Sequence, residues 1–212
     1  MKFINFNKVM CLSPHPDDVE YSMMGTILKH KETKFDILCM TSGGKHDKTC
    51  EGNIRLKEVA KVWQSADIKN AQVYFTQFMH FSDIPEETWI NFIEKYFLKN
   101  FKYDALLIPS VADSHFEHRF VSGFGAALCR DSDMSLVEYC TPSALQTWIP
   151  NFYVDIAKNY ETKKNLLKYF VSQNKKEYFS DYTLNGFHTD FQCSKKNLKI
   201  VEKFRIINLY SK

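Results

Sequence analysis

Apolar runs of four to six residues that alternate with amphipathic stretches of ten or more leave few folds open to this chain. A run that is apolar throughout, yet too short for a buried helix, reads as a strand covered on both faces. Amphipathic stretches between such strands read as crossover helices on a parallel sheet. Residues 9–12 (VMCL) give the first strand and residues 19–30 the first helix. Residues 35–40 (FDILCM) give the second strand, followed by a polar, glycine-containing loop, TSGGKHDKTCEG. Asn53 can cap a helix over 54–66, where Ile54, Val59, Val62 and Trp63 recur at roughly helical spacing. Residues 71–75 are a third strand, and Pro85 opens a helix over 86–101. Residues 104–109 (DALLIP) form a buried strand, whose loop SVADSHFEH leads into a helix over 119–130 containing Gly123 and Gly125. Further strands are expected over 136–140 and 151–155, and further helices over 160–173 and 195–204. The expected architecture is α/β, a single Rossmann-like domain over 1–212 with a mostly parallel sheet flanked by helices.

Charge and cysteine usage then exclude several classes. A net charge of +3, with basic residues scattered or in doublets, offers no stripe for nucleic acid. The six cysteines form no CxxC pair, and Cys11 and Cys39 lie inside apolar runs, as buried thiols do in a reducing compartment. No apolar stretch approaches 18 residues and the N-terminus lacks a signal-type core, so a cytoplasmic chain without a transmembrane segment is expected. Neither GxGxxG nor a Walker loop follows any strand, which removes dinucleotides and nucleoside triphosphates from consideration.

In sheets of this type ligands bind beyond the carboxyl ends of the strands. The loops SPHPDD, TSGGKHD and ADSHFEH would converge there. The segment 13–25, SPHPDDVEYSMMG, places two repelling carboxylates side by side, an arrangement that a cation would make sensible. His15, Asp18 and His118 together offer two imidazoles and a carboxylate, the three-ligand donor set of a Zn²⁺ site with a position left for water. Asp17 would stay beside them as an ionised base, while Pro14 and Pro16 restrict the backbone that aims His15. Taken singly, an Asp pair is also an ordinary helix cap, and His115 and His118 could lie on a solvated face. The combination of two His/acid clusters, each directly after a buried strand, favours the metal reading.

At these residues the sequence resembles the PIG-L/LmbE-like deacetylases, whose opening loop reads (A/P)HPDD. TSGG is similar to the family's T-D-G-type loop, Arg55 and Glu58 to its R-x-x-E, and SHFEH to its H-P-D-H segment. IPNFYVDI, then Lys164 with Ser172-Gln173, and finally Glu202-Lys203-Phe204 resemble its closing elements, in the same order along almost the whole chain. The resemblance implies that His15, Asp18 and His118 bind zinc (or another divalent metal such as Fe²⁺) and that Asp17 is the general base. It implies that His115 stabilises the oxyanion and protonates the leaving amine, and that Arg55 and Asp83 contact the sugar. Glu117 stands where the family usually has Asp and would orient His115, and Phe116 replaces a Pro. The implied activity is removal of a small acyl group, acetyl above all, from the amide nitrogen of an amino sugar or its conjugate. A related ester or amide hydrolase, or a carbohydrate-binding pseudoenzyme, is the alternative. The implied partner is a small N-acetylated hexosamine derivative, with oligomers allowed. The segment 184–197 departs most from the family, and there His188 and Asp190 read as a loop pair, solvated or at the rim of the site.

Overall fold

The computed structural model describes residues 1–43, 51–76, 80–81, 84–130, 132–190 and 197–210. Its elements run β1 (Lys8–Ser13), α1 (Asp18–Lys29), β2 (Lys34–Cys39), α2 (Glu51–Ala66), β3 (Ala71–Phe75) and α3 (Glu86–Ile93). They continue with β4 (Ala105–Pro109), α4 (Phe116–Cys129), β5 (Ser135–Tyr139), β6 (Phe152–Asp155) and α5 (Tyr160–Leu167). Last come α6 (Asp181–His188), β7 (Thr189–Asp190) and β8 (Lys199–Asn208). The sheet order is β3-β2-β1-β4-β5-β8-β6, with β7 paired to β8. Strands β1 to β5 are parallel to one another, whereas β8 runs antiparallel to both β5 and β6.

Alternation along β1 shows why its run is apolar throughout. Val9 and Cys11 enter one core, with α1 and α2, while Met10 and Leu12 enter the other, with α3 and α4. Both faces are covered, so no position on the strand is free to be polar. The chain winds outward from β1 in both directions, through β2 and β3 on one side and β4 and β5 on the other. The switch point of such a sheet lies between the carboxyl ends of its two central strands, here β1 and β4.

Three expectations are corrected and one element is added. Residues 195–204 do not form a helix: 199–208 are strand β8. Ile200, Val201 and Phe204 fit helical spacing, but the β-branched Ile200, Val201, Ile206 and Ile207 suit an extended chain, and the slot between β5 and β6 supplies partners on both edges. The helix expected over 160–173 stops at Leu167, after which turns bring Ser172 to Glu58. Helix α6, capped by Ser180 accepting from the Thr183 N–H, adds an element that the sequence pattern does not announce. Helix α2 begins at Glu51, ahead of Asn53, so Asn53 is not its cap. Among the described cysteines, Cys11, Cys39, Cys129 and Cys140 are buried free thiols, while Cys50 and Cys193 lie outside the described residues.

The two glycines of α4 have opposite surroundings. A Cβ on Gly123 would meet nothing within 4 Å, whereas one on Gly125 would come within 2.7 Å of Ile108 on β4. Gly123→Ala is therefore expected to stabilise the protein by up to about 1 kcal/mol through helix propensity. Gly125→Ala is expected to cost about 1–3 kcal/mol by overpacking the contact that seats α4 on the sheet. Urea denaturation of the two variants checks the opposite signs.

Candidate functional site

The loop after β1 is held by its neighbours before it reaches the site. The Ser13 hydroxyl donates to the His15 carbonyl (2.8 Å), and the Thr41 hydroxyl, at the exit of β2, donates to the Pro14 carbonyl (2.8 Å). The loop then delivers Asp17 as the N-cap of α1, with φ of 121°. That is a left-handed backbone for a non-glycine residue, a strain of order 1–3 kcal/mol of the kind found where a site imposes its geometry. Its N–H is satisfied by Glu20 Oε2 at 3.1 Å.

His15, Asp18 and His118 meet, although 100 residues separate the two halves of the site. His15 Nδ1 lies 3.1 Å from Asp18 Oδ2, and His118 Nε2 lies 3.3 Å from Asp18 Oδ1. All three side chains are buried. The far nitrogen of His118, Nδ1, faces Asp113 Oδ2 at 2.9 Å, and Asp113 also accepts from the Thr141 hydroxyl and from the His115 N–H (2.7 Å). Because a carboxylate only accepts, a protonated His118 donates from Nδ1 to Asp113 and from Nε2 to Asp18, and a metal ion would take the place of the Nε2 proton.

These donors fit a divalent ion. Ligands at about 2.0–2.1 Å from a tetrahedral zinc stand roughly 3.3 Å from one another, close to the 3.1 and 3.3 Å separations here. The electrostatics agree. Burial alone would lower the His118 pKa, but Asp18 and Asp113 overcome it and push it up to about 10. Burial alone would raise the Asp18 pKa, but His118 and His15 hold it well below the usual carboxylate range. Positive charge is thus strongly favoured at this point, and a metal ion would displace protons to supply it.

Asp17 stands beside this cluster without joining it. Its Oδ1 accepts from Arg55 Nη2 at 2.9 Å, and its buried Oδ2 has no hydrogen-bond partner among the described residues. Burial raises its pKa and the Arg55 charge opposes that rise. Arg55 does not form the surface pair with Glu58 that helix spacing allows. It is buried, donates also to the Pro16 and Gly43 carbonyls, and leaves Glu58 to accept from Ser172. Gly43 has φ of +66°, and a Cβ there would collide with the Arg55 guanidinium, so this position needs glycine.

His115 stacks on His118, with ring centroids 4.6 Å apart and 21° between planes, and Phe116 stacks on its own ring. Burial and the neighbouring His15 and His118 lower the His115 pKa to about 4. Its Nδ1 has no partner among the described residues. Glu117 does not reach it, approaching His15 Nε2 instead, at 2.5 Å. Asp83 lies outside the described residues.

A cavity of about 490 Å³ opens above these groups, with Phe116, Pro142 and Tyr178 as apolar lining and Arg55 and Lys176 as cations. Sequence reasoning missed Asp113, although it sits in ADSHFEH, five residues before the histidine it supports. Lys163, not Lys164, is the buried lysine of α5, paired with Glu202 at 2.6 Å. His188 is neither solvated nor at the rim: it is buried in the core, with Nδ1 on the Val201 carbonyl, and Asp190 pairs with Lys203.

Fold and site are those of an α/β protein that gathers imidazoles and carboxylates at the switch point of its sheet. The chain belongs to the GlcNAc-PI de-N-acetylase (PIG-L) family, whose pattern matches residues 10–129. It is 24% identical over 193 residues to a diacetylchitobiose deacetylase of Thermococcus kodakarensis, covering 81% of this chain and 72% of that protein. The structure resembles N,N'-diacetylchitobiose deacetylase from Pyrococcus horikoshii with a TM-score of 0.76 and 22% identity, covering 97% of this chain and 85% of that one. It also resembles a 4-carboxy-2-hydroxymuconate hydratase from Pseudomonas putida, with a TM-score of 0.72, 14% identity, and coverage of 100% of this chain and 98% of that one. Among the described residues no helix is long and apolar enough to cross a membrane.

Proposed function

We propose that the protein is a metal-dependent amidohydrolase that removes an acetyl group from the amide nitrogen of an amino sugar or its conjugate. The observation that supports this best is the unpartnered Asp17 carboxylate oxygen beside three converging donors, because a protein that only bound sugar would have no use for it. Family membership and the deacetylase relatives point the same way.

In this reading His15, Asp18 and His118 hold a divalent ion, zinc or another borderline metal. When bound, the ion acts as a Lewis acid towards the carbonyl and lowers the pKa of water to about 7. Asp17 takes the proton of the attacking water through Oδ2, while Arg55 fixes its other oxygen. His115, held by its stack and by Asp113, faces the same space, donates its N–H to the developing oxyanion, and passes to the departing amine the proton that Asp17 has taken from the water. Phe116, 63% exposed at the mouth, offers an apolar face to a sugar ring. The cytoplasmic setting expected from cysteine usage belongs to this proposal as well.

Release of acetate from a panel of N-acetylhexosamine derivatives, diacetylchitobiose included, tests the proposal. Chelator-stripped protein should fall to background and recover with Zn²⁺. Protein that retains metal yet frees neither acetate nor amine from any member would refute the deacetylase assignment. The hydratase among its structural neighbours shows why fold alone does not choose the bond.

A further inference from the structure

Glu117, on the first turn of α4, reaches across the site to a residue 102 positions earlier, its Oε2 lying 2.5 Å from His15 Nε2. We infer that Glu117 is the positioning residue for His15, an inference that rests on the metal reading above. His15 has carboxylates at both ring nitrogens, Asp18 at Nδ1 and Glu117 at Nε2. With Asp18 given over to the metal, Glu117 is the one carboxylate left to accept the single proton of a neutral His15 imidazole, so the Nε2–H is directed at Glu117. The Nδ1 lone pair then faces the space shared with Asp18 and His118.

His118 shows the same construction with its nitrogens exchanged, Nδ1 on Asp113 and Nε2 towards Asp18. Each imidazole is therefore backed by its own carboxylate, both supplied by the segment that follows β4. A carboxylate behind a ligating imidazole fixes the tautomer and raises ligand basicity. This assignment replaces the expected orientation of His115 by Glu117, since His115 draws its placement from ring stacking and from Asp113.

His15, His115 and Glu117 also bring donor atoms within reach of a single ion. The short separation favours the hydrogen bond: 2.5 Å is well inside the roughly 3.3 Å that two ligands of one tetrahedral zinc maintain. Side-chain length matters too. An aspartate at this position would be one methylene shorter, about 1.5 Å of reach.

Zn²⁺ affinity of the stripped full-length chain, measured by competition with a chromophoric chelator, tests the inference alongside the absorption spectrum of the Co²⁺ form. Glu117→Ala and Glu117→Asp should each weaken Zn²⁺ binding by about 10–100-fold and alter the Co²⁺ spectrum. Glu117→Gln, which keeps an acceptor and the reach, should recover most of the affinity, and Glu117→Asp serves as the probe should the alanine variant fail to fold. Affinities within twofold of the native value in the folded alanine or aspartate variant would overturn the role. Two equivalents of metal in the native chain and one in Glu117→Ala would also overturn it, making Glu117 a ligand of a second ion. A native chain that binds neither metal would sink the proposed function, and this inference with it; tight native binding with indifferent variants sinks the inference alone.

Discussion

Asp17→Asn should lower the rate of amide hydrolysis by about 10²–10⁴-fold, the usual contribution of a positioned general base, while bound metal stays stoichiometric. The substitution is nearly isosteric. An asparagine carbonyl can still accept from Arg55 Nη2, and Arg55 keeps its bonds to the Pro16 and Gly43 carbonyls. Asparagine also tolerates the positive φ of this position better than most residues, so the strain at residue 17 should not grow. What disappears is the acceptor at Oδ2, the one buried oxygen of the cluster that no described group occupies. Paired measurements of kcat/KM and metal content decide the matter. A metal-loaded Asp17→Asn enzyme with activity within tenfold of native would place the base elsewhere, and loss of metal in the variant would make Asp17 a ligand.

The parts of the fold legible in the sequence are those whose environment is uniform. Strands β1, β2 and β4 are buried on both faces, so their apolar runs name them, and the polar residues after them stand out by contrast. His15 and Asp18 follow directly, because a strand exit fixes where the next few side chains point, and His118 follows β4 at one remove, on the first turn of α4. The partners of those side chains are a different matter. Whether Glu117 reaches His15 or His115, and whether Arg55 turns to Asp17 or Glu58, depends on loop paths that bring together residues 38 to 102 positions apart. Strand β8 is obscured for a related reason: its run combines helical spacing with β-branched residues, and only the open slot between β5 and β6 decides between them.

That strand also ties the distal edge of the sheet to the site. Glu202 of β8 is buried, accepts from the backbone N–H groups of Gly25 (2.8 Å) and Thr26 (2.6 Å) on α1, and pairs with the ammonium of Lys163. Helix α1 is the element whose first turn presents Asp17 and Asp18. A carboxylate drawn by three donors from two helices thus fixes where that turn sits.

Glu202→Gln is accordingly expected to cost about 3–5 kcal/mol, the penalty for leaving one member of a buried ion pair without its countercharge. The amide would in addition set a donor against the Gly25 or Thr26 N–H, or against Lys163. Burial already pulls the Lys163 pKa below its ordinary value, and only Glu202 holds it up, so the lysine depends on the glutamate. The dependence is not symmetric. Lys163→Met leaves Glu202 with two backbone donors and should cost less than Glu202→Gln. Urea midpoints give the ranking, and Zn²⁺ affinity of the folded fraction gives the consequence for the site, which should weaken in step as α1 loses its anchor. Equal losses for the two variants would show that the ion pair alone stabilises this region. Unchanged metal affinity in a destabilised Glu202→Gln protein would show that α1 is held in place by its apolar face, without help from β8.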